Sequence, residues 1–150
     1  MSLPRRAFVR AAGGILAFLL LPRALAQSAP ALIVYKSAGC GCCGEWEKHM
    51  RANGFRVDSR TVADIGAVKR KLGVPESLAS CHTATVGGYV VEGHVPAADV
   101  RRLLREQPEA IGIAVPGMPA GAPGMEQGQP AQPYRTLAFD ARRSWTFQRH

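Results

Sequence analysis

The apolar and polar positions of the chain form short segments, some with the pattern of a β-strand and others with the pattern of an amphipathic helix. Residues 31–35 are an uninterrupted apolar run of strand length, as expected for a buried central strand. In residues 44–53, Trp46 and Met50 lie four positions apart and so share one side of a helix, and Gly54 is placed to end it. The pattern therefore predicts a buried strand that is followed, after a short loop, by an amphipathic helix.

The next segments repeat this alternation of strand and helix. Residues 55–60 alternate in polarity as a strand does, and Asp64 can cap a second helix that has an apolar face. Two further apolar runs are joined by Gly87-Gly88, which is typical of a β-hairpin, and Pro96 is placed to open a third helix. The predicted order of elements is β-α-β-α-β-β-α.

The C-terminal part of the chain has a different composition. Residues 114–133 are rich in glycine and proline and cannot form a regular element, whereas residues 134–139 and 145–147 alternate as two short strands. The whole pattern predicts an α/β fold with a central mixed sheet flanked by helices, followed by a Gly/Pro/Met loop and a short β-hairpin. By analogy, this order of elements, with cysteines between the first strand and the first helix, matches a thioredoxin-like fold.

The first 26 residues have the pattern of a cleavable export signal. An arginine-rich start precedes an apolar run over residues 11–21, and small residues fit a cleavage site after Ala26. The start PRRAFVR resembles a twin-arginine export motif, with Pro4 where Ser or Thr is usual. Because the apolar run is short for a membrane span, no stable membrane insertion is expected after cleavage.

Cleavage after Ala26 also changes the charge of the protein. The full chain of 150 residues has a formal charge of +8, and the signal holds four arginines and no acids, so the mature chain carries +4. No basic cluster interleaved with aromatic residues is present, which argues against a nucleic-acid partner. We expect a linker over residues 27–30 and one folded domain over residues 31–150, located in the periplasm.

Four cysteines carry the most distinctive chemistry of the sequence. Cys40, Cys42 and Cys43 fall within four positions between the first strand and the first helix, and Cys81 lies far along the chain. The start of a helix stabilises a thiolate, because its N–H groups and its dipole present positive charge. In an exported protein an even number of cysteines often forms structural disulfides, but a bridge within such a short loop would stabilise little.

Two functional interpretations of the cysteines stand beside structural disulfides. Cys40 and Cys43 have the C-x-x-C spacing of a dithiol oxidoreductase, yet the additional Cys42 would invite scrambled disulfides. A soft-metal site instead needs several thiolates in a small volume, and the neighbouring glycines let the backbone deliver them to Cu(I) or Zn. The metal interpretation is favoured, and it needs Cys81 to lie beside the first cysteine loop, as the thioredoxin-like arrangement would allow.

Methionines and histidines are further candidate ligands. Met118 and Met125 each follow a Pro-Gly pair in the C-terminal loop, and a thioether is a soft ligand for Cu(I); the alternative is that both pack on the domain surface. His82 follows Cys81, and imidazole suits both copper states, although neighbours in a strand point to opposite faces. For His94, a hydrogen-bonded structural role is the preferred interpretation over metal binding.

Three stretches of the chain resemble a known family. YKSAGCGCCGEW, SCHTATVGGYVVEGHVP and AVPGMPAGAPGME look like the signature stretches of the CopG-like periplasmic copper-resistance proteins, long catalogued as a family of unknown function. The likeness runs from about residue 32 to residue 139. It implies a thioredoxin-like domain that binds several copper ions, as a cluster, and can cycle copper between oxidation states. Carried over position by position, the ligands are Cys40, Cys42, Cys43 and Cys81.

The residues and the resemblance together lead to an expected function and its alternative. We expect a periplasmic protein that holds Cu(I) as a multi-copper thiolate cluster in copper resistance or homeostasis. Its partners are copper ions and an efflux or redox protein of the envelope. Redox cycling would make it a copper-dependent oxidoreductase rather than a metal-binding protein alone. The alternative is a periplasmic thiol-disulfide oxidoreductase that uses Cys40 and Cys43.

Overall fold

The described part of the chain contains seven strands and three α-helices. The computed structural model describes residues 29–126 and 128–150. In chain order, the elements are β1 (Ala31–Lys36), α1 (Gly41–Ala52), β2 (Arg56–Thr61), α2 (Ile65–Lys71), β3 (His82–Val86), β4 (Tyr89–Glu92), α3 (Ala97–Glu106), β5 (Gly112–Ala114), β6 (Arg135–Phe139) and β7 (Ser144–Arg149). A short 3-10 helix over Glu76–Leu78 lies between α2 and β3.

All seven strands belong to one mixed sheet with the order β2-β1-β3-β4-β5-β6-β7. β1 runs parallel to β2 and β4 runs parallel to β5, whereas the other neighbouring strands are antiparallel. The structure therefore confirms the predicted α/β class with a mixed sheet, together with the C-terminal hairpin. The more specific thioredoxin-like assignment stays a prediction.

Two apolar clusters pack against the sheet. The larger one joins Trp46 of α1, Leu103 of α3 and Val91 of β4, and the smaller one joins Val90 of β4 with Leu78. Because neighbouring residues of a strand point to opposite faces, the two clusters lie on opposite faces of the sheet. α1 and α3 thus cover one face, and the segment that follows α2 covers the other.

Two elements differ from the predicted pattern. α1 begins at Gly41, three residues earlier than expected, so that Cys40 is its N-cap and Cys42 and Cys43 lie in its first turn. Glycine disfavours a helix, but the packing of this turn, in which Cys43 is fully buried, outweighs that preference. β5 was not predicted, because three residues are too few to show a strand-like alternation.

The predicted export signal over residues 1–26 lies outside the described residues, as do the first two residues of the predicted linker. Within residues 29–126 and 128–150, no helix is both long enough and apolar enough to cross a membrane. The boundaries proposed for the signal, the linker and the folded domain stay predictions.

The pairing of β5 with β4 depends on a glycine, and a substitution there can be tested. A Cβ at Gly112 would overlap the carbonyl group of Val90 on the neighbouring strand. We expect Gly112→Ala to lower the free energy of unfolding by about 1–3 kcal/mol in urea titrations, because the added methyl group must push the strands apart. The control is Gly44→Ala in α1, where a Cβ meets nothing within 4 Å and should raise stability by up to ~1 kcal/mol. Equal effects of the two substitutions would contradict this explanation.

Candidate metal centre

The pairing of two strands brings the distant cysteines together. β1 and β3 are antiparallel, and Lys36 at the end of β1 pairs with His82 at the start of β3. The loop that leaves β1 therefore lies beside the loop that enters β3. The first loop and the following helix turn carry Cys40, Cys42 and Cys43, and the second loop carries Cys81.

The four cysteine sulfurs form one cluster in which all ligand atoms lie within 4.8 Å of one another. Sγ of Cys42 lies 3.7 Å from Sγ of Cys40 and 3.7 Å from Sγ of Cys81, which is itself 3.7 Å from Sγ of Cys43. Cys40 and Cys43 are joined by a disulfide, whereas Cys42 and Cys81 are free thiols. Although the spacing argues against structural disulfides, a disulfide is present, and it joins the pair with C-x-x-C spacing.

Two buried histidines extend the sulfur cluster. Nδ1 of His82 lies 3.3 Å from Sγ of Cys81, and Nε2 of His94 lies 3.1 Å from the same sulfur. The alternation of strand residues does not separate Cys81 from His82, because β3 begins at His82 and Cys81 belongs to the preceding loop. These three residues make a second group of ligand atoms within 4.8 Å of one another.

His94 has the hydrogen-bonded role expected from the sequence, but it also faces the cluster. Its Nδ1 donates to the carbonyl oxygen of Pro123 at 2.8 Å. A carbonyl partner fixes the tautomer of a neutral imidazole, so that the lone pair of Nε2 points towards Cys81. Orientation of this kind is typical of metal-binding histidines.

His82 is fully buried and packs against the aromatic side chain of Trp46. The His82 and Trp46 ring centroids lie 4.4 Å apart, and the Trp46 indole donates to the carbonyl oxygen of Val95 at 2.8 Å. Trp46 is also fully buried. Within the described residues, Nε2 of His82 has no hydrogen-bond partner. An unpaired buried imidazole nitrogen is uncommon. The nitrogen of this ring that faces the sulfurs is Nδ1, and together with the four sulfurs it fits a soft metal ion such as copper.

Burial controls the protonation of the candidate ligands. Burial and, next, the charge of the neighbouring Cys42 sulfur raise the pKa of Cys81 to about 12, so this group is a thiol at neutral pH. Burial lowers the pKa of His94, and it lowers the pKa of His82 further, where repulsion from a protonated His94 and from Lys69 also opposes protonation. A metal ion would therefore find neutral imidazoles and would displace a proton from Cys81.

The Gly/Pro-rich loop contacts both cysteine-bearing segments. A Cβ at Gly124 would lie 3.1 Å from the carbonyl oxygen of Cys42, so the loop backbone closely approaches the start of α1. Further back in the loop, the carbonyl oxygen of Gly117 accepts a hydrogen bond from the hydroxyl group of Ser80, which precedes Cys81. The loop thus contacts both cysteine-bearing segments, one through Gly124 and the other through Gly117.

Met118 and Met125 each follow one of these contact glycines. Both line one cavity of about 260 Å³, and Met118 is 54% exposed. The position of the loop places both methionines on segments that contact the cysteine loops. Metal binding and surface packing both stay predictions for the two thioethers.

Sequence reasoning missed a buried charged group behind the cluster. The fully buried carboxylate of Glu92 accepts hydrogen bonds from the backbone N–H of Ser80 at 2.6 Å and from the hydroxyl of Thr83 at 2.7 Å. It also forms an ion pair with Lys69. The signal in the sequence was an acid at the end of an otherwise apolar strand, YVVE, where a solvent-exposed strand end is the ordinary interpretation.

We expect acid to destabilise the metal-free protein through His82. Because folding lowers the pKa of His82 below its ordinary value of 6.5, the unfolded chain takes up this proton first as the pH falls. The stabilisation is complete above pH 6.5 and is lost below it, by up to about 1.4 kcal/mol per pH unit. Urea titrations between about pH 7.5 and pH 5 measure this slope, and His82→Gln should reduce it. An unchanged slope in that variant would contradict the assignment.

Known proteins resemble this chain in both sequence and structure. Residues 78–125, which include Cys81, match the family described as "Protein of unknown function, DUF411". No curated protein matches the chain. Two solved structures, titled copper resistance protein copG in form 2 and form 1, are each 46% identical to it. For form 2 the TM-score is 0.77 and the match covers 81% of this chain and 98% of that chain; for form 1 the values are 0.76, 80% and 96%.

The identity and coverage are high enough to assign a family. The match with both structures extends over nearly their whole length, and the resemblance to the CopG-like copper-resistance proteins is confirmed. The chain belongs to the CopG family of copper resistance proteins.

Proposed function

We propose that this protein is exported to the periplasm and holds Cu(I) there, as a multi-copper thiolate cluster, in copper resistance or homeostasis. The observation that carries the proposal is the convergence of four cysteine ligand atoms within 4.8 Å of one another. Thiolates favour Cu(I) over hard cations, and sulfurs packed this closely can bridge several ions. The related structures are of a copper resistance protein, which supports copper as the metal.

The proposed ligands are thiolates in the reduced protein. Because two of the four cysteines form a disulfide in the structure, reduction has to precede binding by the whole set. The thiolates would come from Cys40, Cys42, Cys43 and Cys81. Two imidazoles and two thioethers lie on adjacent segments and would complete the soft ligand set: His82, His94, Met118 and Met125.

The role of the bound copper follows from the chemistry of the cluster. Sulfur and imidazole ligands together suit both Cu(I) and Cu(II), so we include redox cycling of copper in the proposed function. Each ion that changes state exchanges one electron, which requires a redox protein of the envelope as partner. Sequestration without cycling would instead require transfer to an efflux protein.

A second candidate function is thiol-disulfide exchange with other exported proteins. The disulfide between Cys40 and Cys43 favours it, since this is the pair with C-x-x-C spacing at a helix start. In that function Cys42 and the two histidines would have no required role. The two candidates therefore differ in the cysteines that they need.

We expect copper retention to depend on the cysteines outside the C-x-x-C pair. The exported protein is produced with added copper, purified without oxygen, and challenged with a chromogenic Cu(I) chelator. Cys42→Ser and Cys81→Ser should each weaken copper retention by about tenfold or more, because each removes a central sulfur of the cluster. His49→Gln is the control, since Nε2 of His49 bonds Ala97 outside the cluster. Two or more coppers per wild-type chain are expected; a metal-free protein would refute the proposal.

Thiol-disulfide exchange, unlike copper binding, should not require Cys42. We expect the reduced protein to add little to the rate at which a small dithiol reduces a disulfide-bonded test protein. Cys43→Ser serves as the control, because it removes one sulfur of the reactive pair. Rapid reduction that is retained in Cys42→Ser and lost in Cys43→Ser would establish the oxidoreductase instead.

A further inference from the structure

A buried ion pair lies behind the cysteine cluster, on the other face of the sheet. Lys69 of α2 and Glu92 of β4 are 9% and 0% exposed. The Thr83 hydroxyl accepts a hydrogen bond from the Lys69 ammonium at 2.9 Å and donates one to the Glu92 carboxylate at 2.7 Å. Because charged pairs lose hydration on burial, such a pair often adds no net stability. Its presence therefore needs an explanation besides the attachment of α2 to the sheet.

The carboxylate of Glu92 connects this ion pair to the loop that carries Cys81. Thr83 of β3 lies directly opposite Glu92 in the strand register, so the carboxylate is fixed against the start of β3. In this position the Glu92 carboxylate accepts a hydrogen bond from the backbone N–H of Ser80 at 2.6 Å. Ser80 immediately precedes Cys81, and a hydrogen bond to a charged acceptor is stronger than one to a neutral acceptor.

The surroundings of Ser80 leave its backbone little room to move. Gly93 has φ +71°, and a Cβ at that position would lie 2.6 Å from both Cβ and Oγ of Ser80. The Ser80 hydroxyl donates to the carbonyl oxygen of Gly117 on the other side. The segment is thus held by backbone packing and by the Glu92 carboxylate together.

We infer that Glu92, itself held by Lys69, is a positioning residue for Cys81 in the copper site. By fixing the backbone of Ser80, its carboxylate sets the position of the Cys81 sulfur. That position matters because Sγ of Cys81 lies between 3.1 and 3.7 Å from four other ligand atoms, those of Cys42, Cys43, His82 and His94. The inference rests on the proposed copper function, since its effect is read through copper held by Cys81.

A purely structural role makes a different prediction. If the ion pair only attached α2 to the sheet, its removal would change stability without changing the chemistry of Cys81. A useful test therefore removes the acceptor for Ser80 without leaving an unpaired charge in the interior, because an unpaired buried charge alone would destabilise the fold.

Two double variants separate the acceptor from the charges. Lys69→Met/Glu92→Gln removes both charges but keeps a side-chain oxygen that can accept the Ser80 N–H. Lys69→Met/Glu92→Leu removes both charges and the acceptor. Competition with a chromogenic Cu(I) chelator should give near wild-type affinity for the Gln variant and about tenfold or more weaker affinity for the Leu variant. Rescue by glutamine is the result that a structural role would not produce.

The same comparison in the Cys81→Ser background tests whether the effect acts through Cys81. We expect the difference between the Gln and Leu variants to disappear there, since the sulfur that they position is absent. The control pair is Lys36→Met/Glu47→Gln and Lys36→Met/Glu47→Leu, because Glu47 is also a buried carboxylate but bonds Ser59 and Arg51 rather than Ser80. These two controls should not differ in Cu(I) affinity.

Equal Cu(I) affinity of the folded Gln and Leu variants would overturn the inference, as would a difference that persists without Cys81. If the Leu variant does not fold, the single variant Glu92→Asp replaces it, because aspartate keeps the charge but withdraws the carboxylate from Ser80. We expect Glu92→Asp to weaken Cu(I) affinity as well, and unchanged affinity would overturn the inference.

If the wild-type protein holds no copper, the proposed function fails separately. The positioning of Cys81 is then tested by measuring the alkylation rate of its thiol in the reduced protein. We expect this rate to differ between the Gln and Leu variants, and equal rates would overturn the inference.

Discussion

The antiparallel pairing of β1 with β3 is the constraint on which the site depends. It places Lys36 opposite His82, so the loop leaving one strand and the loop entering the other begin side by side. Backbone hydrogen bonds in the middle of a sheet are protected from water, and this pair is flanked by β2 and β4. A shift of register would move Cys81 along the first loop and turn the side chains of β3 to the opposite face. The cysteine cluster therefore exists only in this register.

Burial of part of the site, complete at Cys43, His82 and His94 and partial at the other three cysteines, then sets its chemistry. Burial keeps the imidazoles of His82 and His94 neutral and raises the pKa of the Cys81 thiol to about 12, so these three groups are uncharged at neutral pH. A soft cation bound there would replace the proton of the Cys81 thiol, and the neutral imidazole nitrogens of His82 and His94 would need no deprotonation. Trp46 packs against His82, and its indole N–H donates a hydrogen bond to the carbonyl oxygen of Val95. Burial and ligand type thus favour the same class of metal.

The site draws on both faces of the sheet. His82 points towards α1 and α3, where it contacts Trp46, while the next residue, Thr83, points towards α2 and bonds Glu92. One short strand therefore supplies a candidate ligand on one face and support for the loop on the other. The Gly/Pro-rich loop adds a third wall through Gly124 at the start of α1. No single element could hold the cluster alone.

The sequence by itself determined those features of the protein that depend on residues close together in the chain. The apolar runs, the Asp64 cap of α2 and the Gly87-Gly88 turn gave the order of elements through β4 and α3, because each signal acts within a few residues. The spacing of Cys40, Cys42 and Cys43 indicated a soft-metal site for the same reason. Tertiary structure alone decided the early start of α1, the three-residue β5, the joint approach of both histidines to Cys81, and the Glu92 support. These features depend on packing and strand register between residues far apart in the chain, where local pattern carries no information.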